Sequence, residues 1–417
     1  MLKAYKYRMY PTAEQEMLLN KHFGCCRFIY NWALDQKQKH YAETQKSISA
    51  YDIVKKLPDL KKEKEWLSEV YSQSLQKSVL NLDVAFTNFF KKKSDFPKFK
   101  TKHHKQSFQY PQNVEIDFDK EIVILPKIKE VKIALSRKFK GQIKTCTVSK
   151  TTTGKFFISI LTEDKKELPP KPKIDPNKTI GIDLGLTNFI VTSDGTKVSN
   201  PKFGLDQRRL KRWKRELARR TQWNGTEGTK GSRIEKSSQN RLKIKRKIAR
   251  EQEKVVNQRT DFLHKLSTKL IRENQTICLE DLNVQGMMKN HCLANSIGRA
   301  SWSQFESMLK YKSDWQGKNF IQIGRFEPSS KLSNCCGARK DDLKLSDRVW
   351  KCPKCQKELD RDVNAAQNIK LFALQKQNLI NQVPVDSRDI KSVERTGCKQ
   401  SRRSRNQIRE NLESQQL

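Results

Sequence analysis

The stretch Ile180-Gly-Ile-Asp-Leu-Gly185 of this 417-residue chain combines a strand pattern with a single charged residue. Alternation along a strand puts its two isoleucines and its leucine on one face, and Asp183 with the two glycines on the other. Since glycine has no side chain, a metal ion and a phosphodiester could approach the Asp183 carboxylate closely. The stretch therefore predicts an open, acidic face on a buried strand.

Glu280 and Asp362 have comparable surroundings elsewhere in the chain. Glu280 follows the apolar pattern Ile277-Cys-Leu279, which predicts a strand, and Asp362 lies in Asp360-Arg-Asp-Val-Asn-Ala-Ala366, which predicts the start of a helix. Three carboxylates converging from two strands and a helix can hold a pair of Mg²⁺ ions roughly 3.5–4 Å apart, which suits phosphodiester hydrolysis. We therefore predict that Asp183, Glu280 and Asp362 are the catalytic, Mg²⁺-binding residues. The alternative is that each acid is an ordinary surface or capping residue.

The helix predicted after Asp360 limits which of its acids faces inward. If Asp362 opens that helix, Ala366, Ile369 and Ala373 lie beneath it on one apolar face turned toward the sheet. Two residues are roughly 200° of helical rotation apart. Asp360 is therefore expected to point elsewhere, unless the helix begins after residue 360.

The charge of the chain indicates a polyanionic partner. Lys and Arg number 85 against 46 Asp and Glu, so the formal net charge is +39, and such a field attracts phosphate backbones in a salt-dependent way. A membrane partner is not expected, since no apolar run approaches the roughly 20 residues of a membrane span and the N-terminus lacks a signal-peptide core. We expect a cytoplasmic, nucleoid-associated protein.

The order of predicted elements divides the chain into two halves. A helical region starts with Thr12 and Gln15 as a capping box and lasts until about Phe90, and the short strands between about Glu121 and Leu161 indicate a small β-barrel. A stiff proline-rich linker, 168–173, ends this half. In the second half the order is strand, hairpin, helices, strand, helix, strand and a terminal helix. This is the order of an RNase H-like α/β fold, with the three acids at one edge of a mixed sheet.

Two basic segments indicate contacts with nucleic acid. Leu210, Trp213 and Leu217 recur at helical spacing, and a solvated helical hairpin is the alternative to a nucleic-acid groove, but the one-sided charge favours the groove. Lys91-Lys-Lys93 and Phe96-Pro-Lys-Phe-Lys100 mix cations with aromatics, which suits stacking on bases or solvated charge beside core aromatics. The nucleic-acid-binding candidates on the helical hairpin are Arg208, Arg209, Lys211, Arg212, Lys214, Arg215, Arg219 and Arg220.

The cysteines indicate a structural zinc site. Cys352 and Cys355 form a C-x-x-C pair of the kind found in zinc ribbons, where four thiolates hold Zn²⁺ and substitute for a hydrophobic core. The other half is irregular, because Cys335 and Cys336 are adjacent and neighbouring side chains rarely fill two corners of one tetrahedron. We predict Zn²⁺ bound through Cys336, Cys352 and Cys355 with Cys335 as a candidate fourth ligand; a metal-free knuckle is the alternative. The other cysteines are expected to be packed thiols: Cys25, Cys26, Cys146, Cys278, Cys292 and Cys398.

Together these motifs resemble the TnpB family of insertion-sequence-encoded, RNA-guided DNA nucleases, which are related to type V CRISPR effectors. The resemblance covers about residues 1–372, and the irregular first cysteine pair is its departure from the family pattern. The stretches that carry it are Gly181-Ile-Asp-Leu-Gly185, Glu280-Asp-Leu282, Ser329-Ser-Lys331, Asp360-Arg-Asp-Val-Asn-Ala-Ala366, Tyr5-Lys-Tyr-Arg8, Gly24-Cys-Cys-Arg-Phe-Ile-Tyr-Asn31, Asp261-Phe-Leu-His-Lys-Leu266 and Ala300-Ser-Trp302.

The resemblance implies a multidomain α+β fold and a set of partners. Asp183, Glu280 and Asp362 match the family's catalytic positions, and a transposon-derived guide RNA and target double-stranded DNA with a short adjacent motif are the implied partners. A separately encoded tyrosine transposase is expected to act alongside. The implied domains are a wedge-like β-barrel (1–10 and 101–173), a helical recognition domain (11–100), a RuvC-like nuclease (178–328 and 359–375) with a zinc-ribbon insertion (329–358), and a polar tail (376–417) predicted to be disordered.

Two other activities are compatible with the same residues. A recombinase would use the same metal chemistry with a 3′ hydroxyl as nucleophile and would join strands. A nuclease-silent, RNA-guided DNA-binding regulator is disfavoured by the presence of all three acids.

Overall fold

An antiparallel seven-stranded sheet organises the first half of the chain in a computed structural model of the protein. The structure describes residues 1–103, 105–201, 203, 207–219, 223–224, 232–233, 239–325, 327–344 and 346–379. In pairing order, the strands are β2 (Gln106–Tyr110), β6 (Gln142–Lys150), β7 (Phe156–Glu163), β1 (Leu2–Tyr10), β5 (Lys129–Ala134), β4 (Ile122–Leu125) and β3 (Glu115–Asp117). Within the described residues the edge strands β2 and β3 are not paired with each other, so closure into a barrel stays a prediction.

Four helices follow β1 and precede β2. The predicted capping box starts the first of them: the Gln15 N–H donates to Thr12 Oγ1, and the Thr12 N–H donates to Gln15 Oε1. The predicted end of the helical region near Phe90 is confirmed, because the fourth helix ends there. The helices are α1 (Ala13–Thr44), α2 (Ala50–Lys55), α3 (Leu57–Glu63) and α4 (Ser72–Phe90), with a 3-10 turn at Glu65–Glu69.

Contacts group the chain into two units. Unit 1 comprises Met1–Glu167 and Gly204–Asn257, and unit 2 comprises Leu168–Phe203 and Gln258–Leu417. In unit 1 the inner faces of α1 and α4 share one core with the seven-stranded sheet.

A pair of helices contains the basic hairpin segment that is predicted to bind nucleic acid. Its helices are α5 (Gln207–Arg219) and α6 (Gln239–Glu273), and α6 passes from unit 1 into unit 2 after Asn257. Leu210 and Trp213 are buried against Ile244 and Ile248, which confirms the predicted apolar stripe. Two short strands, β11 (Trp223–Asn224) and β12 (Ser232–Arg233), pair between these helices. Residues 225–231 of the glycine-rich turn lie outside the described residues.

Unit 2 contains a mixed five-stranded sheet. The fourth strand in pairing order, Thr276–Glu280, is parallel to both of its neighbours. The first two strands in that order pair antiparallel with their neighbours. Leu279 is paired with Ile182 and Cys278 with Gly181, so the carboxyl ends of two adjacent parallel strands lie at one edge. In pairing order the strands are β10 (Lys197–Ser199), β9 (Asn188–Thr192), β8 (Thr179–Leu184), β13 (Thr276–Glu280) and β14 (Asn319–Ile323).

Hydrophobic residues cover both faces of this sheet. Ile182 and Leu279 belong to a core shared with Phe305, whereas Cys278 packs with Ile369 on the opposite face. The apolar strand faces predicted from alternation are therefore confirmed. The opposite face of the Asp183 strand, predicted to be open, is covered at Gly181 by the helix that carries Ile369. The helices that follow β13 are α7 (Val284–Met287), α8 (Ala294–Ala300), α9 (Trp302–Trp315) and α10 (Arg361–Lys376).

A hairpin with its own small core lies within residues 329–344 and 346–360, between β14 and α10, and we call this segment the cysteine hairpin. Strands β15 (Val349–Lys351) and β16 (Glu358–Asp360) pair antiparallel, and Leu343, Trp350 and Leu359 are buried together beside Cys352. Most of the predicted disordered tail, residues 380–417, lies outside the described residues. Among the described helices, none has both the length and the apolar character needed to cross a membrane.

Candidate active site and metal centre

The three predicted acids come together at one edge of the mixed sheet. Asp183 is the next-to-last residue of β8, Glu280 is the last residue of β13, and Asp362 lies in the first turn of α10. All three are partly exposed. Because β8 and β13 are parallel neighbours, their carboxyl ends place the first two acids side by side. We call Asp183, Glu280 and Asp362 the acidic trio.

Gly181 allows α10 to lie directly on β8. A Cβ atom at this position would be 2.1 Å from the Ala366 carbonyl oxygen and 2.7 Å from the Lys370 backbone nitrogen. Any side chain there would therefore push α10 away. The predicted inner face of α10 is confirmed, since Ala366, Ile369 and Ala373 are fully buried.

The electrostatics of the trio favour a bound cation. Burial raises the pKa of Asp183 to about 8, with further increases from the negative charges of Glu280 and Asp362, while Arg361 opposes the shift. Burial also raises the pKa of Glu280 to about 7, together with the charge of Asp281. Carboxylates that resist ionisation in the absence of metal are stabilised by a divalent cation, which replaces the proton. The donor set, all carboxylate oxygens, is the one that Mg²⁺ prefers.

Arg348 is an additional contact of the trio. Its Nη1 atom lies 3.4 Å from both carboxylate oxygens of Asp362. The pair is partly exposed, so its contribution to stability is small. The sequence pattern did not predict this contact, because Arg348 lies in the predicted zinc-ribbon segment and nothing in that motif indicates an approach to Asp362.

Asp360 has a structural role. Helix α10 begins at Arg361, so the rotational argument alone would have allowed Asp360 to face inward. Its Oδ1 atom accepts hydrogen bonds from the Asp362 and Val363 N–H groups at 3.1 and 3.0 Å. Its Oδ2 atom lies 2.6 Å from Lys197 Nζ. Asp360 is therefore the N-cap of the helix that carries Asp362.

The four predicted zinc ligands lie together. All ligand atoms of Cys335, Cys336, Cys352 and Cys355 lie within 4.8 Å of one another. Among the described residues, no other group of three or more His, Cys, Asp or Glu side chains has its ligand atoms this close together. The carboxylates of the acidic trio are therefore more widely spaced than the four thiols. The cysteine cluster could hold one structural metal ion, and thiolates suit Zn²⁺.

Cys335 and Cys336, the irregular half of the predicted zinc site, both lie in the cysteine cluster. The Sγ atom of Cys335 lies 2.9 Å from that of Cys355, and the Sγ atom of Cys336 lies 3.3 Å from that of Cys352. Gly337, at φ +70°, turns the backbone just after the pair. Ser333, where a regular pair would have a cysteine, instead contacts Cys335 Sγ through its hydroxyl at 2.9 Å.

Two asparagines of α10 connect the acidic trio to the cysteine hairpin, and sequence reasoning missed them. The Asn364 side chain donates to the Leu332 carbonyl oxygen at 2.7 Å and accepts from the Asn334 N–H at 2.9 Å. Asn368 Nδ2 donates to the carbonyl oxygens of Ser329 and Leu332. Both side chains are buried. Two amides four residues apart on an otherwise apolar helix face were the available signal.

The remaining cysteines mostly agree with their prediction as packed thiols. Cys25, Cys26, Cys146 and Cys278 are buried, and Cys398 lies outside the described residues. Cys292 is exposed, contrary to the prediction, because it lies in the turn between α7 and α8 rather than on an apolar face.

The basic residues predicted on α5 point to solvent. Arg220 lies outside the described residues, and the other candidates are all exposed. Arg209 places its guanidinium 4.6 Å from the centre of the Trp213 ring. An open groove on this helix is lined by Arg208, Lys211, Arg212, Arg215 and Arg219.

Family models match three segments of the chain. A model described as "Probable transposase", of the IS605 OrfB family, matches residues 158–291. A model described as "Cas12f1-like, TNB domain" matches residues 302–369, which include the cysteine hairpin. A model described as "Helix-turn-helix domain" matches residues 1–46. In the structure that segment is β1 followed by the single continuous helix α1.

Relatives are similar over most of their length. "Putative RNA-guided DNA endonuclease" of Streptomyces pristinaespiralis is 38% identical over 373 residues, covering 88% of each chain. "Putative RNA-guided DNA endonuclease InsQ" of Escherichia coli K12 is 31% identical over 387 residues, covering 88% of this chain and 91% of the relative. "TnpB-like protein L79" of Acanthamoeba polyphaga mimivirus is 22% identical and covers 87% of this chain and 72% of the relative.

A solved structure shares the fold. The protein in a cryo-EM structure of a Cas12f1-sgRNA-target DNA complex superposes with a TM-score of 0.50 at 13% identity, covering 89% of this chain and 98% of that chain. The likeness shows a mixed α+β multidomain fold of the Cas12f type. From its relatives and its matching family models, the chain belongs to the TnpB family of IS605 OrfB-type proteins.

Proposed function

We propose that this protein is an RNA-guided DNA endonuclease encoded by a transposable element, and that it hydrolyses phosphodiester bonds at the acidic trio with Mg²⁺. The observation that carries the proposal is the convergence of Asp183, Glu280 and Asp362 at one sheet edge, with two pKa values raised. Family membership supports it, since two curated relatives are named as RNA-guided DNA endonucleases.

The residues of the trio have distinct tasks in this proposal. Two Mg²⁺ ions bound there would supply an activated water and charge stabilisation at the leaving 3′ oxygen. Asp183 and Glu280 are fixed on adjacent strands, so their separation is set by the sheet. Asp362 is positioned by α10, whose N-terminus is capped by Asp360 and whose approach depends on Gly181. Arg348 holds the Asp362 carboxylate in one orientation.

We assign the mixed sheet to an RNase H-like, RuvC-type nuclease domain over 178–328 and 359–375, with a zinc ribbon over 329–358. The strand order and the acids at the carboxyl edge support the assignment. We assign 1–10 and 101–173 to a wedge-like barrel and 11–100 to a helical recognition domain, since β1 pairs with β5 and β7 while α1 to α4 lie between β1 and β2.

The proposed partners are a guide RNA and target double-stranded DNA. The net charge of +39 and the exposed cations of α5 fit the binding of phosphate backbones. Guide pairing would select the target, so a large basic surface without a base-reading module suffices for most of the recognition.

The decisive experiment combines RNA identification with programmed cleavage. RNA that copurifies with the full-length protein is sequenced, and its guide segment is replaced by a chosen sequence. Plasmids carrying the matching target should be cut with Mg²⁺, while plasmids with a scrambled target should stay intact. Cutting that ignores the guide sequence, or that persists in EDTA, would contradict the proposal.

Strand transfer is the second candidate, because the family model that matches 158–291 is described as a transposase. The same acids could direct a 3′ hydroxyl instead of water. End-labelled donor DNA separates the two activities. Joined products would support transfer, whereas cut ends without joined products support hydrolysis.

A further inference from the structure

Four phenylalanines cluster where α4 ends, and two of them are exposed while the other two are half-buried. Phe96 packs edge-on against Phe86 and Phe89, with ring centres 5.5 and 5.4 Å apart. Phe90 contacts Phe89 at 5.3 Å and Phe86 at 6.4 Å. Phe90 is nonetheless 72% exposed and Phe96 is 42% exposed. We call these four rings the aromatic platform.

A defined turn fixes the platform in place. The Lys93 N–H donates to the Asn88 carbonyl oxygen and the Lys92 N–H donates to that of Phe89, both at 2.9 Å. These are the two hydrogen bonds of a Schellman motif. Further along, the Asn31 side chain holds the backbone of Lys100 with bonds of 2.8 and 2.9 Å. The aromatic surface is therefore built by tertiary contacts and is not a frayed helix end.

The left-handed position of this turn is occupied by a lysine. Lys92 has φ +55°, where glycine is the favoured residue because other side chains are strained there. A positive charge therefore lies beside the platform at a position where the backbone favours glycine. The stability of the turn does not explain why this position holds a lysine.

The surroundings of the platform are strongly basic. Lys91, Lys92, Lys93 and Lys98 are exposed, and none forms an ion pair with a described residue. Asp95 is the single acid between residues 91 and 100. Another protein docking on these rings would have to bury uncompensated cations, which is costly. A ligand with flat faces and regularly spaced negative charge can stack on the rings and neutralise the lysines.

We propose that the aromatic platform stacks on unpaired bases of a nucleic acid strand while the surrounding lysines contact its phosphates. Rings flanked by cations are the means by which proteins bind single strands without reading their sequence. The inference rests on the proposed function for the source of the strand, either guide RNA or a separated DNA strand, since both present the same chemistry.

Photochemical crosslinking tests the contact directly. Full-length protein is irradiated with 20-nucleotide strands carrying 5-iodouracil, one as RNA and one as DNA. The tryptic peptide 78–91, which contains Phe90, should carry a crosslink, and the strand that gives it identifies the source. Crosslinks found only elsewhere on the chain would overturn the platform while leaving the nuclease proposal intact. Crosslinks found nowhere would count against both.

Affinity measurements separate stacking from charge. Phe90→Leu keeps an apolar side chain but removes the π face, and should weaken binding of the same strands about tenfold. Phe90→Trp should restore it. The loss should disappear with an abasic oligomer of equal length, which has phosphates but no bases. Tyr51→Leu is the matched control, because Tyr51 is 70% exposed and its neighbour Lys55 is already paired with Asp52.

A glycine at position 92 gives a test in which stability and binding change in opposite directions. Lys92→Gly should leave the melting temperature equal to or above that of the wild type, since it relieves the left-handed backbone. It should also lower the slope of log affinity against log salt concentration by up to about 0.7 for a single strand. An unchanged slope together with wild-type affinity of Phe90→Leu would overturn the proposal. A dimer in wild type that Phe90→Leu converts to monomer would assign the platform to a protein interface instead.

Discussion

Asp183 shows how one residue couples stability to function. Its pKa in the folded chain is about 8, above the ordinary value of 3.8, because burial and two neighbouring acids disfavour its charge. The folded state therefore binds more protons than the unfolded state between these pH values. The contribution of Asp183 to the free energy of unfolding is fully present below about pH 4 and is lost as the pH rises through about 8.

Asp183→Asn should remove that pH dependence. The amide cannot ionise, so in Mg²⁺-free buffer the variant should be more stable than wild type at pH 9 by about 1 kcal/mol or more. At pH 3.5 the two should be nearly equal. Urea unfolding at both pH values measures the difference. Equal stabilities at pH 9 would show that ionisation of Asp183 does not destabilise the folded protein.

Removing any acid of the trio should abolish cleavage. Asp183→Ala, Glu280→Ala and Asp362→Ala should each lower the rate by more than about 100-fold, because losing even an outer-shell partner of a metal ligand costs 10–100-fold. Guide-RNA binding should be retained. Programmed plasmid cleavage and RNA gel shifts measure the two properties. A variant that still cuts would take that residue out of the site.

Asp360→Ala is the matched control. It should retain most cleavage, but it removes the N-cap of α10 and the contact with Lys197, so it should destabilise the protein by about 1 kcal/mol. A loss of cleavage equal to that of Asp362→Ala would show that Asp360 is the catalytic acid.

The packing of α10 on β8 positions Asp362 relative to the other two acids of the trio. Gly181→Ala would place a methyl group 2.1 Å from the Ala366 carbonyl oxygen. Helix α10 must then shift, and Asp362 shifts with it. We expect cleavage to fall by about 100-fold, the effect of a misplacement of about 1 Å. The cleavage rate and the melting temperature should both drop.

Gly24→Ala controls for glycine substitution as such. Gly24 lies within α1, and nothing lies within 4 Å of the position its Cβ would occupy. Alanine there should leave cleavage unchanged and stabilise α1 by roughly 0.5–1 kcal/mol. If Gly24→Ala impaired cleavage as much as Gly181→Ala, close approach of α10 would not be the cause.

The cysteine hairpin is a second element whose stability depends on its ligands. Changing Cys335, Cys336, Cys352 or Cys355 to serine should each lower bound zinc from about one equivalent toward none, because structural zinc sites use four ligands. Metal analysis of the purified protein measures this. Cys292→Ser, at an exposed thiol outside the cluster, should keep the full equivalent. A Cys335→Ser protein with full zinc would restrict the ligands to the other three.

The net charge of the full chain is expected to govern its association with nucleic acid. With a net charge of +39, binding should weaken steeply as salt rises. Arg212→Gln combined with Arg215→Gln should reduce the salt slope by up to about 2 on duplex DNA, with affinity lowered similarly for all sequences. Titrations at several salt concentrations give the slope. Lys62→Gln, at a lysine paired with Asp59 at 3.2 Å, should change it less.

Local sequence patterns were sufficient to predict several strands and helices and the acids that lie at their ends. Alternation around Asp183 and Glu280 specified strands and their buried faces, because side-chain direction in a strand is set locally. The spacing of Ala366, Ile369 and Ala373 specified the inner face of α10 in the same way. These inferences needed no knowledge of distant residues.

Several contacts between distant residues became visible in the folded structure alone. The close approach of α10 at Gly181, the contact of Arg348 with Asp362 and the hydrogen bond from Asn364 to Leu332 each join residues whose neighbours in sequence give no sign of the other. The capping role of Asp360 also depended on where α10 begins, a boundary that periodicity leaves open by a residue or two. The physical reason is that local patterns fix the direction of a side chain, whereas distances between elements follow from how their surfaces pack.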